Sequence, residues 1–157
     1  MKTRDDKWLA EAVALAERSV GDGGGPFGAL IVRGDDVVAN GVNQVTSTLD
    51  PTAHAEVVAI RRACEETGDF TLTGCVLVSS CEPCPMCLFT ALWARVDRVV
   101  YAADRDDAAA AGFDDRAFHD LFGKPRAAWP VELSQHRTGG ETSPFDAWRA
   151  KPDKVEY

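Results

Sequence analysis

The stretch Cys81-Glu82-Pro83-Cys84-Pro85-Met86-Cys87 constrains this chain more than any other, read together with Asp50-Pro51-Thr52-Ala53-His54-Ala55-Glu56 upstream. Pro85 suits the first position of a helix, where a missing N–H leaves no hydrogen bond unmade. A helix starting there puts Cys84 and Cys87 on one face, with thiolates favoured by its N-terminus. Asp50 and Pro51 read the same way, as N-cap and first residue of a second helix with His54 in its first turn. One imidazole and two thiolates fill three corners of a tetrahedral zinc shell, and a catalytic zinc keeps the fourth for water. Glu56 need not ligate. A carboxylate within hydrogen-bond reach can take a proton from a metal-activated water and hand it to a substrate.

Other uses of the same thiols compete with this reading. A structural zinc wants a fourth protein ligand, and Cys81 would serve. A redox dithiol needs only Cys-x-x-Cys and no His54. Buried inert thiols need no partner at all. The His-x-Glu upstream and the proline before the first ligand favour the catalytic zinc.

Charge narrows the substrate. The chain of 157 residues carries a formal net charge of −8. A binder of nucleic acid normally shows a basic patch or stripe. Here Arg61-Arg62 is the only adjacent basic pair, followed closely by Glu65-Glu66. A small uncharged base is the better guess, and no nucleic acid is expected. No apolar run approaches a membrane span, and the N-terminal segment lacks a signal peptide's apolar core. The five cysteines, three of them crowded at 81–87, fit metal binding in a reducing cytosol, so a cytoplasmic location is expected.

Along the chain, residues 5–20 read as a helix with Trp8, Leu9, Val13 and Ala16 at helical spacing, broadened by Leu15 and Val20. The glycine-rich stretch 21–26 breaks it. Residues 27–33 and 36–43 read as a hairpin through Gly34-Asp35. Asn43, at its end, can donate and accept at a base edge, although an Asx-turn explains an asparagine there equally well. Residues 46–48 form a polar loop, and 52–66 a helix ended by Gly68. Residues 75–80 and 96–102 are buried strands flanking the cysteine helix, which runs through Trp93. Gly112-Phe113-Asp114-Asp115 precedes a helix at 116–122, with a carboxylate as its cap. Residues 130–134 make a further candidate strand, and Ser143 caps a last short helix. His119 and His136 have no ligand partners at recognisable spacing. The β-α-β alternation implies an α/β sheet with a parallel portion, with ligands at the carboxyl ends of its strands.

His-x-Glu followed by Pro-Cys-x-x-Cys is the pattern of zinc-dependent nucleobase deaminases. Over nearly its whole length the chain resembles the bacterial guanine deaminases of the cytidine deaminase-like superfamily. The resemblance is carried by residues 25–29, Asn43, 50–56, 80–87, 93–95, 110–115 and the Ser143-Pro144-Phe145…Trp148 tail ending in Tyr157. The metal motif is common to the superfamily. The Gly-Phe-Asp-Asp segment and the aromatic-ended tail point to the guanine branch.

The resemblance implies a three-layer α/β/α fold around a mixed sheet of about five strands. It implies one Zn2+ per chain on His54, Cys84 and Cys87, with Glu56 as proton shuttle. Asn43, His54 and Ala55 would contact the purine, and Phe27 and Trp93 would line its pocket. One of Asp114 and Asp115, Asp115 by preference, would be a second acid–base group. Residues 1–137 would form the catalytic domain, and 138–157 a hinge and tail. In the family this tail crosses to a partner subunit, so Tyr157 would cap the pocket of a domain-swapped homodimer. Phe89-Thr90 departs from the family, which carries smaller residues there. The implied reaction is hydrolysis of guanine to xanthine and ammonia. Other deaminase substrates remain as rivals: a guanine analogue or triazine, cytosine or cytidine, guanosine, or tRNA adenosine. A rival of another class is a non-catalytic interaction module stabilised by zinc.

Overall fold

Residues 3–157 are described by a computed structural model, and the chain forms two compact units, one ending at Asp120 and the other spanning Leu121–Tyr157. In the first unit, helix α1 (Arg4–Gly21) starts with a capping box: Asp6 N–H donates to Thr3 Oγ1 at 3.2 Å, and Thr3 N–H donates to Asp6 Oδ2 at 2.6 Å. Its buried face is Trp8, Ala12, Ala16 and Ser19, narrower than the expected stripe, because Val13 and Val20 are exposed. The face is narrow because the helix lies so close to the sheet. A Cβ on Gly28 would come within 2.6 Å of the Ala12 carbonyl oxygen and 2.8 Å of the Ala16 nitrogen.

Strands β1 (Gly28–Arg33) and β2 (Asp36–Val42) pair antiparallel through the Gly34-Asp35 turn, with Gly34 at φ +62. Strand β3 (Val76–Cys81) runs antiparallel to β1, and β4 (Arg98–Ala103) runs parallel to β3. The order is β2-β1-β3-β4, a mixed sheet of four strands where about five were expected. The missing candidate is 130–134, which forms no strand. Its leading Pro130 has no N–H to give to a ladder.

Helices cover both faces. Trp8 and Ala12 of α1 pack on Leu30, Val32 and Val78. On the opposite face, Ala55, Ala59 and Ala63 of α3 (Ala55–Thr67) and Ala91 of α4 (Pro85–Trp93) pack with Ala29, Ile31 and Leu77. This is the three-layer α/β/α arrangement. Side chains alternate along a strand, so Ser79, two residues after Leu77, shares its face with α3.

The helix expected from residue 52 begins at Ala55, with His54 as its N-cap. Asp50 caps no helix; its Oδ1 accepts from Thr52 N–H at 2.8 Å and Thr52 Oγ1 at 2.6 Å, holding a tight turn. The polar loop before it contains a one-turn helix, α2 (Val45–Thr48). After β4 come α5 (Arg105–Ala110) and α6 (Arg116–Leu121).

In the second unit, a 3-10 turn (Arg126–Ala128) and helix α7 (Ser143–Ala150) are the regular elements. Thr142 takes the cap position expected of Ser143. Phe122 packs edge-on to Trp129, and the Arg126 guanidinium lies 4.9 Å from the Trp129 ring. Glu141 gathers the Thr138 and Gly139 N–H groups at 3.1 and 2.7 Å, with Gly139 at φ +89. Among the described residues, no helix is long and apolar enough to cross a membrane.

Gly41 is the point where β2 meets α3. A Cβ there would fall 2.3 Å from the Ala55 carbonyl oxygen and 2.5 Å from the Ala59 nitrogen, both rigid backbone atoms. We expect Gly41→Ala to destabilise the fold by about 1–3 kcal/mol, the range for overpacking a core, lowering Tm by several degrees. A thermal melt within one degree of wild type would show that α3 can retreat freely.

Candidate functional site

Three potential metal ligands meet at the N-termini of α3 and α4. His54 and Cys84 are the N-cap residues of the two helices, and Cys87 lies in the first turn of α4. Neither residue makes a side-chain capping hydrogen bond. They turn toward one another instead. Cys84 Sγ lies 3.6 Å from Cys87 Sγ and 3.6 Å from His54 Nδ1, while Cys87 Sγ lies 3.5 Å from His54 Nδ1.

Those separations suit zinc. Ligand distances of about 2.3 Å to sulfur and 2.0–2.1 Å to nitrogen give tetrahedral edges of about 3.8 Å for S···S and 3.6 Å for S···N. Among the described residues, only this trio of His, Cys, Asp and Glu side chains clusters as a candidate metal group. Cys81 is not a fourth ligand: its thiol faces the Asp104 carbonyl at 3.6 Å, and burial pushes it up to about 11. The shell of the structural-zinc alternative is therefore not assembled.

The charges point the same way. Hydrogen bonding from Cys87, reinforced by His54, lowers Cys84 to about 4. Contact with Cys84 and burial push Cys87 up. His54 is raised, chiefly by its bond to Cys84. A bound dication would favour the thiolate form of both sulfurs.

Glu56, in the first turn of α3, is only 6% exposed, and burial raises its carboxyl above the ordinary range. Its Oε2 is 3.5 Å from Cys87 Sγ, and its Oε1 accepts from Ser79 Oγ at 3.2 Å. A buried acid abutting a three-ligand group has the position a proton carrier requires.

The neighbours divide. Asn43 makes the expected Asx-turn, its Oδ1 accepting from Val45 N–H at 3.2 Å. Phe27 meets Phe113 edge-to-face, centroids 5.0 Å apart, so the Gly-Phe-Asp-Asp segment folds back over the start of β1. Asp114 is exposed and bound by the Arg116 guanidinium at 2.7 Å. Asp115 is more sheltered and lies 3.4 Å from His119 Nε2, and its charge contributes to raising His54. Ala55 is fully buried at the first position of α3. Trp93 stands at the far end of α4, 63% exposed, about 9 Å along the helix axis from Cys87. Tyr157 is exposed in the second unit.

Residues 2–103 match the cytidine and deoxycytidylate deaminase zinc-binding region. The chain belongs to this zinc-dependent deaminase family. Guanine deaminase of Bacillus subtilis (strain 168) is 48% identical over 153 residues, covering 97% of this chain and 98% of that protein. The X-ray structure of guanine deaminase from Bacillus subtilis superposes with a TM-score of 0.94 at 47% identity, over 100% of this chain and 99% of that one. A structure of guanine deaminase from Nitrosomonas europaea matches at TM-score 0.66 and 30% identity, over 73% and 66% of the respective chains. Like other members of the family, this chain binds zinc.

Sequence reading missed what holds the deaminase motif in place. Glu82, between the cysteines, is gripped by Arg105 at the start of α5. Arg105 Nε donates to Oε2 at 2.9 Å, its Nη2 to Oε1, and its backbone N–H to Oε2 at 3.1 Å. Glu82 N–H in turn donates to Ala103 O at 2.8 Å. Ser79 was read only as part of a buried strand.

Two outcomes are expected. Zinc measured by atomic emission should be one per chain, lost in His54→Ala and Cys87→Ser but kept in Cys81→Ser; loss in the last variant would revive a four-ligand shell. Arg105 holds the Glu82 carboxyl below its ordinary range. The stabilisation is therefore present above the unfolded value of about 4.5 and disappears as pH falls through the folded one. Arg105→Ala should lower Tm by roughly 2–4 °C at pH 7. The gap should close below about pH 4; a constant gap would mean that the guanidinium acts by packing alone.

Proposed function

We propose that this chain hydrolyses guanine to xanthine and ammonia, with water as the second substrate. The observation that carries this reading is Glu56: a buried carboxyl within 3.5 Å of a ligand sulfur, beside a three-ligand group that leaves a tetrahedral ion one open position. The full-length relative of the same activity supports the choice of base.

Zinc, when bound, supplies Lewis acidity and lowers the pKa of a water at that open position. The protein does the rest. Glu56 takes the water's proton and delivers it to the base. Its raised proton affinity suits both halves of that task. The N-cap and first residue of α3, His54 and Ala55, form the floor on which the purine rests. Asn43 hydrogen-bonds the base edge, its amide held by the turn it makes. Phe27, backed by Phe113, supplies an aromatic wall. Asp115 serves as the second acid–base group and Asp114 does not, because Arg116 occupies it. The acidic chain gives no footing for a polyanion, so a free base in the cytoplasm is the substrate.

The working form is a homodimer. Leu88, Phe89, Leu92 and Trp93 form an exposed apolar band on α4 that a second copy would cover. This reading makes residues 138–157 a hinge and tail exchanged between subunits, bringing Tyr157 to the partner's pocket and Trp93 to a subunit boundary.

Ammonia release from guanine is the test. Glu56→Gln should reduce kcat by about 10²–10⁴-fold, and Asp115→Asn should do more harm than Asp114→Asn. Activity on cytidine or adenosine but not guanine would discard the substrate and keep the chemistry. The exchanged tail has its own test. Glu56→Gln chains and chains truncated before Tyr157, each inactive alone, should regain turnover when refolded together. No recovery would place the tail on its own subunit.

A further inference from the structure

The chain holds a second device at this site, on the central strand β3. We propose that Ser79 is a positioning residue that fixes the Glu56 carboxylate and so assigns its Oε2 to proton transfer. The inference rests on the reading of Glu56 as proton carrier.

Ser79 is 2% exposed, and its backbone pairs with Ala29 on one side and Tyr101 on the other. Strands on both sides leave its main chain no freedom to shift. Its Oγ accepts from Cys81 N–H at 3.4 Å and donates to Glu56 Oε1 at 3.2 Å. A hydroxyl has one proton and two acceptor sites. The amide of Cys81 takes one acceptor site, and the hydroxyl proton is directed to Glu56. Oε1 is thereby tied to the sheet. Oε2 is the oxygen directed toward the metal group, 3.5 Å from Cys87 Sγ.

A carboxylate on a bare two-carbon arm could rotate and present either oxygen, or turn away between turnovers. Effective proton transfer needs the donor and acceptor held in reach through the whole reaction. Ser79 supplies that constraint from an element other than the helix carrying Glu56. The same strand then continues through Cys81 toward Cys84, so one segment sets both the ligand loop and the orientation of the acid.

The alternative is that Ser79 only satisfies a buried polar group. That would change stability, but not how Glu56 works. The zinc-loaded protein and the variants Ser79→Ala, Ser79→Val and Ser79→Thr separate the two. Ser79→Ala and Ser79→Val should lose roughly ten- to a hundredfold in kcat, the effect of one hydrogen bond to a charged group. KM for guanine should stay within about twofold, with zinc still one per chain. Ser79→Thr, which keeps the hydroxyl, should restore kcat. Valine has threonine's shape without the oxygen, so this pair carries the comparison even if the alanine variant does not fold. A second readout needs no turnover. In metal-free protein, the infrared carboxyl band assigned by subtracting Glu56→Gln should shift in Ser79→Val and not in Ser79→Thr. Equal kcat in the valine and threonine variants, or an unshifted band, overturns the role of Ser79. A wild type inactive on guanine, or a fully active Glu56→Gln, instead overturns the reading beneath it.

Discussion

The site depends on a buried carboxyl and a buried thiol being kept beside a second, half-buried thiol. Removing anionic groups from solvent is costly unless a counter-charge or a proton compensates. Contact with Cys84 and burial push Cys87 up, and burial pushes Glu56 up. The N-termini of α3 and α4 supply further positive potential at the same point. The geometry is therefore built for a dication. Folding concentrates negative groups where only a cation allows all of them to ionise. Such a site favours soft-ligand metals, because two of its three donors are sulfur.

Precision here comes from the absence of side chains elsewhere. α3 presents Ala55, Ala59 and Ala63 to the sheet, and Gly41 of β2 lets the backbones come almost into contact. Gly28 performs the same task for α1 on the opposite face. Small residues at these crossings leave little slack, because close-packed elements cannot slide without overlap. His54 and Glu56 at the start of α3 inherit that rigidity. Cys84 is fixed further, through Glu82, Arg105 and the Ala103 carbonyl. The two halves of the ligand set thus share one core, and the Glu82–Arg105 contact adds a second anchor for the cysteine loop.

The order and type of the main elements could be read from periodicity and turn residues. The ligand trio could be read from His-x-Glu and Pro-Cys-x-x-Cys taken together as the deaminase pattern, since the Cys-x-x-Cys spacing by itself also fits a redox dithiol. The start of α3 could not. Sequence rules look for Asp, Asn, Ser or Thr at a helix cap, and Asp50-Pro51 offered that pattern. The true cap, His54, breaks the rule because its side chain is needed for another purpose. Cys84 breaks it in the same way. At these two caps the side chains are given to the ligand group. The fifth strand was misread for a simpler reason: alternating Val131 and Leu133 mimic a strand, but Pro130 opens the run without an N–H. Arg105 and Ser79 were invisible because their partners, Glu82 and Glu56, are joined to them only by folding.

Adjacent aspartates show how the same residue type is given different work. Asp114 and Asp115 are indistinguishable in the sequence, and either could cap α6. Arg116 binds Asp114 through its side chain and its backbone N–H. That leaves Asp115 toward His119, with its charge reaching His54. One is fixed in a surface ion pair and the other joins the electrostatics of the metal group. The division is set by a single neighbour, Arg116, which lies outside the deaminase motif. Residues that assign roles in this way can vary without touching the ligands. A common metal centre can therefore serve different bases when the segments around it change.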